Sequence, residues 1–368
     1  MPNVQTARAQ LYPYNATSEG LDISTCATLV QTIVESQLRY GAHIWAPDPS
    51  SNGKWVRKWS ANATTVAKAV KAHTTAVRTA LGVHGRAKRE AIFSAAGLFT
   101  TQEVWNMSTI AFWDRMIRLP NGRLGKDIMA DAVKDVDNPF TKKLIAAMEA
   151  VFGQPPDLSV AMSGRHKFKA HLAAAQRARQ YAAWTAHTSK HKANGGGLYA
   201  SMPRPAFRGF VAKQRNRQHN DTDIGVLMNL RLHSHCLHNL TGAQCTPPTP
   251  LGMRTCAACS ALGNCAVEDE THFVLNCPVY KGERETMLER LRSIYPKFDD
   301  QWNISNDIQK MRILLWSIPD ETAPWRPRDG TLSTARTQAT GTVLRFLGAA
   351  AKRHPTMRNL MFGRAPGA

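Results

Sequence analysis

Acid is what this sequence has little of. Against 47 Lys and Arg stand 27 Asp and Glu, leaving a formal net charge of +20 and a pI near 10.0. From Leu158 to Asn220 there is no acidic residue at all, while Lys and Arg occur twelve times. Charge of one sign at this density repels itself in a compact chain and calls for a polyanionic partner, nucleic acid first and an anionic membrane surface second. Long apolar runs are missing too. No stretch reaches the roughly 18 apolar residues that a membrane helix needs, and the opening MPNVQTARAQLYPYN has no apolar core of the secretory kind. The expectation is a nuclear or cytoplasmic protein, not secreted and not spanning a membrane. Cysteines number only seven. In a reducing compartment clustered thiols point to metal rather than to disulfides. Alternating strand patterns are scarce and no internal repeat is present, which argues against sandwich, barrel and solenoid architectures.

What is there reads as helix. Ser24 is placed to cap a helix running to Tyr40, with Leu29, Ile33 and Leu38 on one face. A Pro-, Ser- and Gly-rich loop with two tryptophans follows at 46–60. Helical periodicity returns at 62–81, 86–96 and 101–118, stopped by Gly82, Gly97 and Pro120. The aromatic stripe of the last, with Trp105, Phe112 and Trp113, reads as core packing. Further helices are predicted at 139–152, 166–190, 221–235, 279–294, 305–317 and 331–352. The stretch KANGGGLYASMPRPAFRG marks a joint. The fold class expected is mainly α: a helical linker region, then a small CCHC zinc knuckle flanked by helices. Its divisions fall at 1–60, a helical region at 61–190 that turns basic toward its end, a flexible basic joint at 191–221, the knuckle module at 222–300 and C-terminal helices at 301–368.

The knuckle rests on spacing. Cys256-x2-Cys259-x12-His272-x4-Cys277 places two thiols on one tight turn and a distant His–Cys pair to close a tetrahedron, a soft S3N donor set suited to structural Zn2+. Cys265 competes as a ligand but has no partner at turn spacing. Four ligands leave no open position, so metal catalysis is not expected. Glu268, Asp269 and Glu270 lie inside the knuckle; an acidic edge there repels phosphate, and one of these carboxylates is a candidate to orient the His272 ring. The run Leu232-His-Ser-His-Cys-Leu-His238 suggests a second metal site, yet a helix end carrying polar histidines explains it as well.

These residues resemble the C-terminal region of non-LTR (LINE-type) retrotransposon reverse transcriptases. The matching positions are Arg231, Leu232, Ser234 and His235, then Cys256 and Cys259, then Glu268, Asp269, Glu270, His272 and Phe273, and finally Cys277, Pro278, Tyr280 and Arg284. Upstream, ESQLRYGAHIW is similar to the segment that follows the polymerase thumb in that family, with Ser36, Leu38, Tyr40, Gly41, Ala42 and Trp45 in place and His43 where many relatives carry Glu. The likeness covers roughly 22–120 and 222–295. The family's paired metal-binding aspartates are missing: Asp299-Asp300 follows Phe298 without the intervening residue; Asp329-Gly330-Thr331 is faintly similar to the start of an RNase H domain but lacks flanking strands. The resemblance therefore implies a fragment, a pseudogene product or a retained tail of an RNA-directed DNA polymerase from a transposable element, with no catalytic residues and no polymerase activity of its own; an upstream polymerase region in the full-length element is one expectation.

Its implied task is to hold RNA or DNA on basic helices. The candidate nucleic-acid contacts are Arg165, Lys167, Lys169, Arg177, Arg179, Arg208, Lys213, Arg215, Arg217 and Arg231. The alternative is a stand-alone zinc-stabilised adaptor for a protein partner.

Overall fold

The structure, a computed structural model, describes residues 23–46, 63–83, 87–153, 165–193, 221–237, 241–242, 245–263, 266–315 and 332–357. Among the described residues the chain is mainly helical, and extended pairing is confined to an antiparallel bridge between Thr255 and Val267. In chain order the helices are α1 (Ile23–Leu29), α2 (Glu35–Arg39), α3 (Ala42–Trp45), α4 (Ala63–Leu81), α5 (Arg89–Ala96), α6 (Thr101–Ile117), α7 (Leu124–Lys134), α8 (Pro139–Phe152), α9 (Arg165–Ala193), α10 (Asp221–Arg231), α11 (Lys281–Ile294), α12 (Phe298–Ile304), α13 (Asp307–Leu315) and α14 (Leu332–Arg353).

The helix expected from Ser24 to Tyr40 is broken by a π turn at Val30–Val34. In the same stretch Thr32 Oγ1 donates back to the carbonyls of Thr28 and Leu29, at 3.0 and 3.3 Å. The Phe298-Asp299-Asp300 stretch lies in the first turn of α12, where Asp299 pairs with Arg292 at 2.8 Å.

The chain divides into two compact units. The first centres on 27–77 and 97–186. Here α6 is started by a capping box: Thr100 Oγ1 accepts from the Glu103 amide, and Glu103 Oε2 accepts from the Thr100 amide at 2.6 Å. Asn138 caps α8 ahead of Pro139, and Gly153 ends it at φ 85°. Ile110 and Trp113 of α6 share a core with Leu144 and Met148 of α8 and Phe168 and Leu172 of α9. Each such side chain contributes about 1.5–3 kcal/mol on burial. Glu103 then receives Gln176 and Gln180 of α9, at 2.7 and 3.1 Å, which fixes that helix on the start of α6. The ESQLRYGAHIW segment is pinned through its backbone: Trp105 Nε1 donates to the Leu38 carbonyl at 3.1 Å, and the buried Lys143 ammonium to Ala42 at 2.7 Å. His43 stacks on Phe112 with ring centres 3.8 Å apart. Burial, then Lys143 and Arg115, lower its pKa, so the ring packs as a neutral plate.

The second unit centres on 78–96 and 187–368. In it α14 packs against α10, α11 and α13. Its buried face, Val343, Leu344, Leu347, Ala350 and Ala351, recurs at helical spacing. The cysteine–histidine cluster that could hold a metal ion lies between α10 and α11 in sequence and is wholly within this unit.

Candidate metal centre

The bridge between Thr255 and Val267 closes the loop that carries the first two cysteines. Cys256 N donates to Ala266 O at 2.9 Å and Glu268 N to Arg254 O at 2.8 Å. Cys256 O then accepts from Ser260 N at 3.0 Å, and a short 3-10 turn at Ser260–Leu262 ends on Gly263 at φ 75°. This turn presents Cys256 and Cys259 on one side. The second pair comes from a π turn at His272–Asn276, closed by Cys277 N donating to His272 O at 2.6 Å. Arg284 of α11 reaches back with both terminal nitrogens to the Cys277 carbonyl, at 3.3 and 2.5 Å.

The four donor atoms converge within 4.8 Å of one another, and all four residues are buried. Cys256 Sγ and Cys277 Sγ are 4.0 Å apart, and Cys259 Sγ lies 3.4 Å from His272 Nε2. With metal–donor bonds of about 2.3 Å to sulfur and 2.0–2.1 Å to nitrogen, a tetrahedral ion separates its ligands by roughly 3.3–3.8 Å. The set can hold a metal ion, and its spacing and donor chemistry are compatible with zinc. Burial and the neighbouring sulfurs of Cys256 and Cys277 push the Cys259 thiol up to about 12. Burial also acts to raise Cys256, but hydrogen bonds with His272, His354 and the Cys259 and Ala258 amides outweigh it and bring that thiol to about 6.

The acids of this region do not form an exposed edge, and this corrects the sequence expectation. Glu268 and Glu270 are buried. Glu268 Oε1 accepts from the Ala257 amide at 3.0 Å and contacts His354 Nε2 at 2.8 Å. Asp269 accepts from the His272 backbone amide at 2.7 Å, so it fixes the ligand's main chain. Glu270 Oε1 contacts both His233 Nδ1 and His235 Nε2, at 2.6 and 2.7 Å. Burial acts to raise the Glu270 carboxyl, but the two imidazoles hold it well below the usual carboxylate range.

His233 and His235 of the histidine run meet Glu270, a partner that the run itself did not suggest. Their separations are those of hydrogen bonds, shorter than two ligands of one tetrahedral ion allow. The trio works as a clamp tying the end of α10 to the ligand loop. His233 takes φ 48° there, directly after the helix. Cys265 and His238 lie outside the described residues.

The basic candidates separate. Arg165, Lys167 and Lys169 fall on the opening turns of α9. Arg177 is exposed. Arg179 is exposed too, but donates to the Ala150 and Glu149 carbonyls at 2.9 and 3.2 Å, capping the end of α8. Arg231 is not a surface contact: it is 5% exposed and its Nε donates to the Leu315 carbonyl. An arginine in a helix's last turn looks the same in sequence whether it points out or is folded under. Arg208, Lys213, Arg215 and Arg217 lie outside the described residues.

His354 had no sequence signal. It lies far downstream of the cysteines, beside Pro355 at the end of a helix, and only folding brings it to Cys256. No described helix is long and apolar enough to cross a membrane. Comparison with protein-family models, curated proteins and solved structures finds no significant match to this chain.

Proposed function

We propose that this chain is the nucleic-acid-binding C-terminal part of a non-LTR retrotransposon reverse transcriptase, built on a structural zinc knuckle and without polymerase chemistry of its own. The observation that carries the reading is the buried Cys3His set, its donor atoms within 4.8 Å of one another, in a chain of net charge +20. Cys256, Cys259, His272 and Cys277 would hold Zn2+, which supplies a fixed cross-link and no reaction. The protein's own residues do the rest: Asp269 sets the His272 main chain, Arg284 holds the Cys277 carbonyl, and Glu270 joins α10 to the loop. Basic residues of α9 and of the acid-free stretch after it supply phosphate contacts to template RNA or target DNA, giving affinity rather than base readout.

The test is binding of labelled RNA and DNA across a salt series, with metal content measured on protein purified without chelator. One zinc per chain and a steep fall of affinity with salt are expected. Changing Arg177, Arg215 and Arg217 to Glu together should weaken binding and lower the salt slope by about one for each phosphate no longer neutralised. Salt-independent binding to a protein partner, with no affinity for nucleic acid, would establish the adaptor reading instead.

A further inference from the structure

Within the second unit α11 and α14 lie antiparallel. Glu283 in the first turn of α11 pairs with Arg353 at the end of α14, and further along Arg290 and Arg345 line the cavity between the same two helices. That cavity has a volume of about 190 Å³. Its floor is apolar, made by the buried Met287 and Phe346 with Ala349 beside them. Its charge comes from the rim. Arg290 and Arg345 are exposed, and among the described residues neither guanidinium has a carboxylate partner. Arg345 meets Thr342 Oγ1 at 3.5 Å, and the acid that lines the cavity, Glu283, is taken by Arg353. Over Leu332–Arg353, α14 carries four Lys and Arg and no Asp or Glu, so it brings no acid to the rim. A cleft lined by one sign of charge over low-dielectric walls focuses its field and gathers counter-ions.

This combination selects a ligand. Guanidinium groups take phosphate oxygens. An apolar floor beneath them takes a flat ring, and the volume, below the roughly 300–1,000 Å³ of pockets for drug-sized ligands, suits one ring system with its phosphate outside. A nucleotide has both parts. Its base reaches such a floor only when unpaired and unstacked. We propose that the α11–α14 groove binds one nucleotide of single-stranded RNA or DNA, with the base over Met287 and Phe346 and the adjoining phosphate at Arg290 and Arg345. Contact of this kind tolerates any base, in keeping with affinity rather than sequence readout. The inference rests on the nucleic-acid reading above and adds to it a place and a strand state.

The test uses the full chain, a labelled single-stranded oligonucleotide and a blunt duplex, each titrated across a salt series. Arg290→Gln together with Arg345→Gln should weaken single-strand binding, lower its salt slope by roughly 0.7 for each phosphate no longer neutralised, and leave duplex binding unchanged. Both positions are exposed, so the melting temperature should stay at its wild-type value. An oligonucleotide carrying thiouridine, irradiated on the wild-type chain, should crosslink within 281–294 or 332–353. Equal losses on single strand and duplex overturn the proposal, as do crosslinks confined to other segments. Binding of polyglutamate that the double variant loses as fully as it loses the oligonucleotide also overturns it, and marks the groove as a seat for an acidic polypeptide. If the double variant does not fold, the crosslinks on the wild-type chain decide alone. A wild-type chain that binds steeply with salt while the double variant binds identically overturns the groove and leaves the nucleic-acid reading standing. A wild-type chain with no affinity for any nucleic acid overturns that reading itself.

Discussion

Gly348 of α14 lies directly against Asp223 of α10: a Cβ at this position would sit 1.9 Å from Asp223 Oδ1 and 2.4 Å from its Cγ. The two helices approach this closely because no side chain intervenes. Gly348→Ala should destabilise the protein by about 1–3 kcal/mol or more through overpacking, despite alanine's better helix propensity. Urea unfolding of the variant checks this; unchanged stability would mean that the helices do not meet as described.

Asp223 itself carries a cost. Burial raises its carboxyl to about 6, with Lys352 opposing. A carboxyl raised in the fold binds more protons folded than unfolded between its unfolded value and about 6. Its favourable contribution is therefore complete at acid pH and lost as pH rises through that window. Asp223→Asn should gain roughly 2–3 kcal/mol at neutral pH and flatten the profile across the window. Chemical denaturation of wild type and variant over a pH series measures both.

His73 works the other way. It is buried, with Nδ1 3.0 Å from Thr101 Oγ1, and burial, then Arg39, lower it from 6.5 to about 3. Between these values the unfolded chain binds the extra proton, so stability falls as pH drops through the window. The full effect is on the order of 4 kcal/mol. His73→Gln should remove most of that slope, read by unfolding at successive pH values; equal slopes in the two proteins would refute the assignment.

Cys277→Ser removes one ligand and should release the ion. Structural zinc contributes about 10–16 kcal/mol of apparent free energy in small sites, comparable with the whole stability of a domain. Protease cleavage within 254–295, absent in the loaded wild type, is the expected readout. Resistance to cleavage in metal-free protein would show that the loop is held by its hydrogen bonds alone.

Arg231→Met separates packing from binding. Burial lowers this guanidinium to about 9, and it is bonded to the Leu315 carbonyl. Its loss should cost about 1–3 kcal/mol of stability through the unsatisfied carbonyl and leave nucleic-acid affinity per folded molecule unchanged. A large loss of affinity in fully folded Arg231→Met would return the residue to the interface.

Helices were legible wherever the chain punctuates itself. Gly82, Gly97 and Gly153 stop α4, α5 and α8, and the Thr100–Glu103 box starts α6. The helix α7 is harder to read because its apolar residues do not share one face: Met129 and Val133, one turn apart, meet the core, whereas Leu124 and Ile128 are exposed. The donor set Cys256, Cys259, His272 and Cys277 was readable because two local turns bring each pair together. The polar contacts around it were not. Glu268 finds His354 and Glu270 finds His235 across long sequence separations, and no spacing rule reports such meetings. For the same reason the acids looked like a solvated edge, although the fold buries Glu268 and Glu270 as acceptors.

The segment from Glu268 to His272 carries a consequence for tolerance to change. Within it Glu268 faces Ala257 and His354, Asp269 faces the His272 amide, and Glu270 faces two histidines at the end of α10. Three separate stretches of chain therefore measure its length at once. Inserting or deleting a single residue here would mismatch every one of them together, whereas point changes could be absorbed one partner at a time. Divergence in this region should thus proceed by substitution and almost never by a shift in frame-preserving length.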